Sequence, residues 1–187
     1  FKKARKTGYF IYANHTQSFA DTFIPSLANY PKRNFFIVNP ENVSMKFLKH
    51  TVEMLGALPI PSDKKGMVHF LEAIKNKISK NNSITIYPEA HIWPYYTKIR
   101  PFIDVSFKYP VSLEIPAFCI TNTYVARGKK KDKIKMVTYV DGPFFPNKNL
   151  KLKDAQKDLR DRIYNTMVER SKNSNIEHIK YVKIEKN

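Results

Sequence analysis

The fold is decided by residues 9–21, which read YFIYANHTQSFAD. The first five are apolar or aromatic and follow a glycine, which predicts a short buried strand. A polar run, NHTQS, comes next, and a helical pattern begins at Asp21. Strand, turn and helix in this order form the unit from which parallel sheets are built. Ligands of such sheets bind at the carboxyl ends of the strands, which is where His15 falls.

The same alternation of strand and helix patterns continues along the chain. Buried strands are predicted at 9–13, 34–38 and 83–87, and helices at 21–29, 44–55, 66–80 and 149–172. The last helix is predicted to bury Leu152, Leu159, Ile163 and Met167. Strand patterns at 112–124 and 134–140 flank a basic loop and predict a hairpin at the sheet edge. We therefore predict an α/β fold of one domain over residues 1–187, with a mixed, largely parallel sheet flanked by helices and a tail at 171–187.

Length and composition support a packed globular domain. The chain has 187 residues, of which 42% are hydrophobic and 13% aromatic, too apolar for a disordered chain. The single cysteine, Cys119, cannot pair within the chain, and its apolar neighbours predict a buried strand position. No apolar stretch reaches the roughly 18 residues that a membrane helix needs. The chain begins with FKKARK rather than Met, which predicts a further segment upstream.

The charge of the chain is strongly unbalanced. It carries 33 Lys and Arg against 16 Asp and Glu, a formal net charge of +17 at pH 7. A field of this strength attracts partners that carry phosphate. Charge alone leaves open whether these partners are nucleic acids, anionic lipid headgroups or small phosphoesters.

His15 and Asp21 form the first candidate site. A histidine can act as a general base, while a nearby carboxylate holds its ring and stabilises the imidazolium. The alternative is that Ser18 caps the next helix, Asp21 serves the capping box and the helix dipole, and His15 only packs. Five residues separate His15 from Asp21, a spacing that places them apart on a regular helix. They can therefore meet only across a turn that precedes the helix.

The second candidate site is the segment 87–102, YPEAHIWPYYTKIRPF, which follows the third predicted strand. It combines a carboxylate, a histidine, several aromatic residues and two cations between prolines. A loop of this composition at a strand end is typical of a pocket wall. The alternatives are that Glu89 only pairs with nearby cations and that Trp93 only fills the core.

In four places, in chain order, the sequence resembles the glycerolipid acyltransferases of the lysophosphatidic acid acyltransferase type. Residues 14–21, NHTQSFAD, resemble the catalytic block of that family, and residues 56–60, GALPI, resemble its second block. Residues 87–89, YPE, resemble the start of the third block, and residues 115–117, IPA, resemble the strand of the fourth. The likeness covers residues 8–170, and four blocks in order make a specific signal.

The sequence also departs from the pattern of this family. The family usually has four residues between the histidine and the aspartate, where this chain has five. The Gly-Thr-Arg that normally follows the glutamate is replaced by AHI at residues 90–92, and no basic residue follows Ile60 directly. Nearby cations could substitute for the missing phosphate-binding residues: Lys64, Lys65, Lys98 and Arg100. We favour Arg100 because its planar guanidinium can bind a phosphate in two places.

The resemblance implies the transfer of a fatty acyl group from acyl-CoA or acyl-carrier protein to the hydroxyl of a lysophospholipid. His15 would be the general base and Asp21 would orient it, while backbone amides of residues 16–18 could stabilise the oxyanion. The residues expected to bind or orient substrate are Asn14, Gln17, Glu89, His91, Lys98 and Arg100. This chemistry requires no metal or redox cofactor.

The resemblance also implies a role in phospholipid biosynthesis, at the cytoplasmic face of the cell membrane as a peripheral protein. Basic residues near the start and in the hairpin would hold the protein against an anionic membrane at about 1 kcal/mol per well-placed cation: Lys2, Lys3, Arg5, Lys6, Lys129, Lys130, Lys131, Lys133 and Lys135. Phe144 and Phe145 could insert at the interface, although at least one of them is expected in the core.

Three alternatives come from other functional classes. The altered spacing and the missing Gly-Thr-Arg keep open an inactive acyltransferase-like protein that only binds lipid. A nucleic-acid-binding module would explain the charge, but the sequence contains no reading motif such as a helix-turn-helix or zinc finger, so no nucleic-acid partner is expected. A metallohydrolase that uses His15, Asp21 and His91 lacks tight ligand spacing.

Overall fold

A computed structural model of the chain describes residues 1, 4, 6–39, 56–128 and 133–182. Within them the strands are β1 (Tyr9–Ala13), β2 (Asn34–Val38), β3 (Ala57–Pro59), β4 (Ser83–Ile86), β5 (Ala117–Arg127) and β6 (Lys133–Phe144). The helices are α1 (Ala20–Ala28), α2 (Lys64–Ser79), α3 (Lys108–Ser112) and α4 (Leu152–Ser171), with one 3-10 turn at Val105–Phe107. The predicted helix at 44–55 lies outside the described residues.

The described strands form one six-stranded sheet in the order β3-β2-β4-β1-β5-β6. Neighbouring strands are parallel, except that β6 runs antiparallel to β5 at the edge. In the middle of the sheet, Phe10 of β1 lies between Ile84 of β4 and Ala117 of β5. The predicted mixed, largely parallel sheet with an edge hairpin is therefore confirmed.

Burial follows the position of each strand in the sheet. Every residue of β1 and β4 is buried, because both strands are paired on two sides. Alternate side chains of β1 enter different apolar clusters, with Phe10 and Tyr12 on one face and Tyr9 and Ile11 on the other. The first cluster includes buried side chains of α2 and α4, and the second packs against Ile24 of α1. Helices thus flank both faces of the sheet, as predicted.

The predicted strand at 112–124 is wrong in its first residues. Ser112 ends α3, and the strand begins only at Ala117. Glu114 lies between them with a φ of 52°, a left-handed conformation that interrupts an extended run. The amide of Ile115 donates to the carbonyl of Pro110, which closes the end of the short helix. Apolar composition alone could not separate this turn from the strand that follows it.

Two helix predictions also need correction. The predicted buried face of α4 is confirmed for Leu159, Ile163 and Met167, but Leu152 is 53% exposed because it is the first residue of the helix. Helix α2 begins two residues before the predicted start, because the carboxylate of Asp63 accepts the amide of Gly66 at 2.8 Å and caps it. Among the described helices, none is both long and apolar enough to cross a membrane.

The second block of the predicted resemblance lies at the opposite edge of the sheet from the hairpin. Gly56 precedes β3, and its carbonyl accepts the amide of Phe36 at 2.9 Å. Its φ is 95°, and a Cβ at this position would lie 2.9 Å from the carbonyl oxygen of Asn34. Only glycine fits this conformation and this close approach without strain.

Candidate active site

The candidate residues follow the central strands or lie within the elements next to them. His15 follows β1 by two residues, and Asp21 lies in the first turn of α1. Glu89 follows β4 by three residues, and Asn122 lies within the neighbouring strand β5. The parallel order of these three strands therefore gathers side chains that are far apart in the sequence.

The side chains of His15 and Asp21 meet across the turn that precedes α1. The distance from His15 Nδ1 to Asp21 Oδ2 is 2.8 Å. The ring of Tyr87 stacks on the imidazole, with 4.4 Å between centroids and 26° between planes. The predicted contact across a turn is confirmed, and the extra residue between histidine and aspartate is accommodated before the helix begins.

Asp21 is held in place by several donors although it is 2% exposed. Its Oδ2 also accepts the backbone amides of Thr16 and Gln17, each at 2.9 Å, and its Oδ1 lies 3.4 Å from Nδ2 of Asn122. Burying a charged group costs several kcal/mol, and hydrogen bonds to a charged group contribute about 1.5–3 kcal/mol each. Three short bonds can therefore offset the burial of the carboxylate.

The structure corrects one expectation and one alternative from the sequence. The amides of Thr16 and Gln17 donate to Asp21, so they are not the oxyanion donors that we expected. The Ser18 amide as an oxyanion donor stays a prediction. Ser18 does not cap α1, whose N-cap residue is Phe19 and has no side-chain cap bond. The carboxylate of Asp21 lies in the first helical turn, where the helix dipole favours a negative charge.

The contact with Asp21 fixes the tautomer of His15. A carboxylate can only accept, so Nδ1 carries the donated proton, and in the neutral form of the ring Nε2 keeps its lone pair. The hydroxyl of Tyr87 donates to the backbone carbonyl of Asp21, which ties the stacked ring to the start of α1. Burial, and secondarily the charge of Asp21, raise the pKa of Tyr87 well above its ordinary value, so this phenol stays a neutral donor.

Glu89 links the two candidate segments. Its side chain is fully buried and accepts the backbone amide of His15 at 3.3 Å. It also accepts the backbone amide and the Nη2 group of Arg100, at 2.9 Å and 3.0 Å. Glu89 therefore does pair with a nearby cation, and in addition its carboxylate directly supports the backbone of the histidine.

We call residues 87–102 the aromatic loop. Its remaining predicted residues are more exposed than Glu89. Nη2 of Arg100 also donates to the carbonyl of His91, and its guanidinium lies 4.8 Å from the centroid of Trp93. The side chain of Arg100 is thus engaged with protein groups, and its contact with a substrate phosphate stays a prediction. His91 and Lys98 are exposed, and neither side chain contacts the His15–Asp21 pair among the described interactions.

Asn14 and Gln17 are held by the protein on either side of His15. The side chain of Asn14 is buried and bonds the backbone of Asn122 twice, donating at 3.0 Å and accepting at 2.8 Å. Nε2 of Gln17 donates to the hydroxyl of Tyr124 at 3.0 Å, and that hydroxyl lies 2.8 Å from Oγ1 of Thr16. Both predicted residues therefore fix the turn that carries His15.

Asn122, Tyr124 and Tyr87 are the site residues that the sequence did not single out. Asn122 and Tyr124 lie more than 100 positions after the residues that they bond, so no local pattern connects them. Tyr87 is the first residue of a recognised block, but nothing in the sequence predicted that its ring would stack on His15. Within the part of the chain that the structure describes, no three His, Cys, Asp or Glu residues lie close enough to hold a metal ion.

Comparisons with known proteins find a matching family and a similar fold. Residues 2–146 match the model of the Acyltransferase family. No curated protein matches the chain. Among solved structures, the chain is similar to the 1-acyl-sn-glycerophosphate (LPA) acyltransferase PlsC from Thermotoga maritima, with a TM-score of 0.61 and 17% identity over 91% of this chain and 69% of that chain. The structural likeness shows a shared fold, and since the family match spans more than half of the sequence, the chain belongs to the acyltransferase family.

Proposed function

We propose that the protein is a glycerolipid acyltransferase that moves a fatty acyl group from an acyl thioester to the hydroxyl of a lysophospholipid, with 1-acylglycerol-3-phosphate as the acceptor. One observation carries the proposal: Nδ1 of His15 lies 2.8 Å from a buried, multiply bonded Asp21 at the carboxyl edge of the sheet. A histidine held in this way can serve as a general base. The likeness of the fold to a lysophosphatidic acid acyltransferase supports the choice of acceptor.

In the proposed reaction, Nε2 of His15 takes the proton of the acceptor hydroxyl as its oxygen attacks the thioester carbonyl carbon. A C–O bond forms and the carbonyl electrons move onto oxygen. Collapse of this intermediate breaks the C–S bond, and the leaving thiolate takes the proton from the imidazolium. The products are the acylated lipid and a free thiol, and His15 returns to its neutral form. The charge of Asp21 stabilises the imidazolium between the two steps.

The other site residues position this pair or bind the acceptor. Asn14, Gln17 and Glu89 hold the turn around His15 from three sides. Arg100 and Lys98 supply positive charge within the aromatic loop, and Arg100 also neutralises Glu89. We assign to these two residues the binding of the acceptor's phosphate. The donor is acyl-CoA or acyl-carrier protein, and the chemistry requires no metal or redox cofactor.

We place the enzyme at an anionic membrane, at the cytoplasmic face and as a peripheral protein. Helix α1 supports this, because exposed apolar side chains lie along one side of it at a spacing of four residues: Phe19 at 78%, Phe23 at 39% and Leu27 at 74% exposure. Arg33 is exposed shortly after the helix and can contact lipid headgroups. Phe145 is exposed, whereas Phe144 packs against the core.

Part of the predicted basic surface is described by the structure. Lys6, Lys133 and Lys135 are exposed, whereas Lys2, Lys3, Arg5 and the loop residues 129–131 lie outside the described residues. The net charge of +17 favours the negative cytoplasmic leaflet over a neutral surface.

Removing the apolar side chains of α1 is expected to weaken membrane binding. The double substitution Phe19→Ser and Leu27→Ser should reduce partitioning onto vesicles of phosphatidylcholine and phosphatidylglycerol by about 10²- to 10⁴-fold, since each of the two side chains contributes about 1.5–3 kcal/mol when fully buried. Vesicle sedimentation measures this, and Val68→Ser, at an exposed position of α2, is the control. Equal binding by the double variant and the wild type would show that α1 does not face the bilayer.

A donor and acceptor screen tests the proposed function. Purified protein is incubated with acyl-CoA or acyl-carrier protein and, in turn, lysophosphatidic acid, other lysophospholipids and glycerol phosphate. We expect the highest rate of acylated product with lysophosphatidic acid. Binding of lysophospholipid without turnover by any donor would instead support an inactive lipid-binding protein, and steep, salt-dependent binding to DNA without lipid binding would support a nucleic-acid partner.

A further inference from the structure

The residues that follow α4 form a segment that crosses the candidate site. We call residues 174–181 the C-terminal strap; they lie outside the family match at 2–146. Its first residues are fixed to β5, because Oγ of Ser174 accepts the amide of Tyr124 at 3.2 Å and the amide of Asn175 donates to the carbonyl of Tyr124 at 3.0 Å. Oδ1 of Asn175 also accepts the amide of Ala126 at 2.8 Å. The strap therefore starts at a defined place in the fold.

The far end of the strap packs on the aromatic loop. The ring of Tyr181 stacks on Trp93, with 5.0 Å between centroids and 9° between planes, and its hydroxyl donates to the carbonyl of Pro94 at 2.9 Å. Tyr181 also meets Tyr96 edge to face at 5.2 Å. The ring of His178 meets Tyr95 edge to face at 4.7 Å. Offset-stacked and edge-to-face pairs of this kind are attractive beyond the area that they bury.

Backbone hydrogen bonds connect the aromatic loop to the turn that carries His15 and Thr16. The amide of Trp93 donates to the carbonyl of His15, and the amide of Tyr95 donates to the carbonyl of Thr16, both at 3.0 Å. Tyr95 has a φ of 57°, a left-handed conformation that costs energy for a bulky residue and persists only when its surroundings impose it. The ring of Tyr95 packs against His178 of the strap and against Tyr124 of β5, while Tyr181 holds the neighbouring Trp93.

We propose that the C-terminal strap is a positioning element of the acyl-transfer site, which holds Trp93 and Tyr95 and thereby fixes the backbone of His15 and Thr16. The proposal rests on the proposed function of His15 as the general base. The strap contributes no residue to the two apolar core clusters, so its contacts with the loop can be removed without opening the core. Tyr181 acts through Trp93 and does not itself touch the reacting atoms.

Fluorescence tests the contact between strap and loop without any assay of activity. Trp93 is the single tryptophan of the chain, so tryptophan emission reports the surroundings of this residue, which include the Tyr181 ring. Tyr181→Ala should increase the rate of acrylamide quenching of Trp93 about twofold, because the covering ring is lost. Tyr181→Phe keeps the ring and should quench like the wild type, as should the control Val182→Ala at an exposed neighbouring position. Unchanged quenching in Tyr181→Ala would overturn the proposed contact.

Steady-state kinetics test whether the contact positions the site. In Tyr181→Ala, kcat should fall about tenfold with KM changed less than about twofold, since a displaced general base loses transition-state stabilisation rather than substrate binding. Tyr181→Phe should restore most of kcat. Circular dichroism at the assay temperature verifies that the variants are folded. Increased quenching with an unchanged kcat, or an equal loss of kcat in Val182→Ala, would overturn the positioning role.

A separate readout distinguishes this proposal from the proposed function. If the wild type transfers no acyl group to any acceptor, the proposed function fails, and the NMR resonances of the His15 ring still report its position. Tyr181→Ala should shift these resonances while those of His69, which is exposed on α2, stay in place. Unshifted His15 resonances would overturn the strap as a positioning element whatever the reaction is.

Discussion

Replacing His15 by alanine is expected to lower kcat for acyl transfer by about a thousandfold, within the range that a general base contributes. The reason is that the variant has no group at this place that can take the proton of the attacking hydroxyl. The ring of His15 is partly exposed and lies outside the two apolar core clusters, so the variant should stay folded, with a thermal unfolding temperature lowered by the loss of one hydrogen bond to Asp21. Rates of product formation and a thermal melt, measured on the same preparation, give the two values.

The matched control is His69→Ala. His69 is exposed on α2 and pairs only loosely with Glu72, at 3.6 Å, so its removal should change neither rate nor stability. Turnover by His15→Ala at the wild-type rate would show that another group is the base. Loss of activity accompanied by unfolding of His15→Ala would call for His15→Gln, which keeps a polar side chain of similar length and should be equally inactive.

Replacing Asp21 by asparagine is the second large effect, with an expected loss of about 10²- to 10⁴-fold in kcat. An amide can keep the bonds from the amides of Thr16 and Gln17 only if its oxygen takes the place of Oδ2. Its NH₂ group then faces Nδ2 of Asn122, and two donors oppose each other. With the amide reversed, its NH₂ donates to Nδ1 of His15, and the ring proton moves to Nε2. The base is then in the wrong tautomer.

NMR of the imidazole nitrogens verifies the cause of this loss. We expect the proton on Nδ1 in the wild type, and either its transfer to Nε2 or a mobile ring in Asp21→Asn. Asp154→Asn changes an exposed aspartate in the first turn of α4 and should leave both the rate and the tautomer as they are. A full rate for Asp21→Asn would mean that the carboxylate serves only the turn and the helix.

The sequence predicted those parts of the site that depend on neighbouring residues. Strands β1 and β2 have the predicted bounds: the apolar run of β1 lies between Gly8 and Asn14, and that of β2 lies between Asn34, the first residue of the strand, and Asn39. The resemblance implied that His15 and Asp21 form a pair, and helix geometry excluded a contact on a regular helix, which left only the preceding turn. The pairing of Glu89 with a cation was likewise accessible from composition.

The parts that were missed depend on contacts between distant segments. Asn122 reaches Asp21 because β1 and β5 are neighbours, an arrangement that no local pattern specifies. The amides of Thr16 and Gln17 were expected to face substrate, but the geometry of the turn directs them to Asp21. Tyr181 lies in the predicted tail at 171–187, and only the folded chain brings its ring onto Trp93. Loop conformations such as the positive φ of Glu114 likewise leave no mark in composition.

The most direct measurement is the stoichiometry of one reaction, in which the protein is given lysophosphatidic acid in vesicles and an acyl thioester with a labelled acyl chain. Mass spectrometry quantifies the diacylated lipid, and a thiol reagent quantifies the released thiol. The proposed acyl transfer should give one labelled diacylated product for each thiol released, and about a thousandfold less of both products with His15→Ala. The absence of labelled diacylated lipid with both acyl-CoA and acyl-carrier protein, or the release of thiol without acylated lipid, would contradict it.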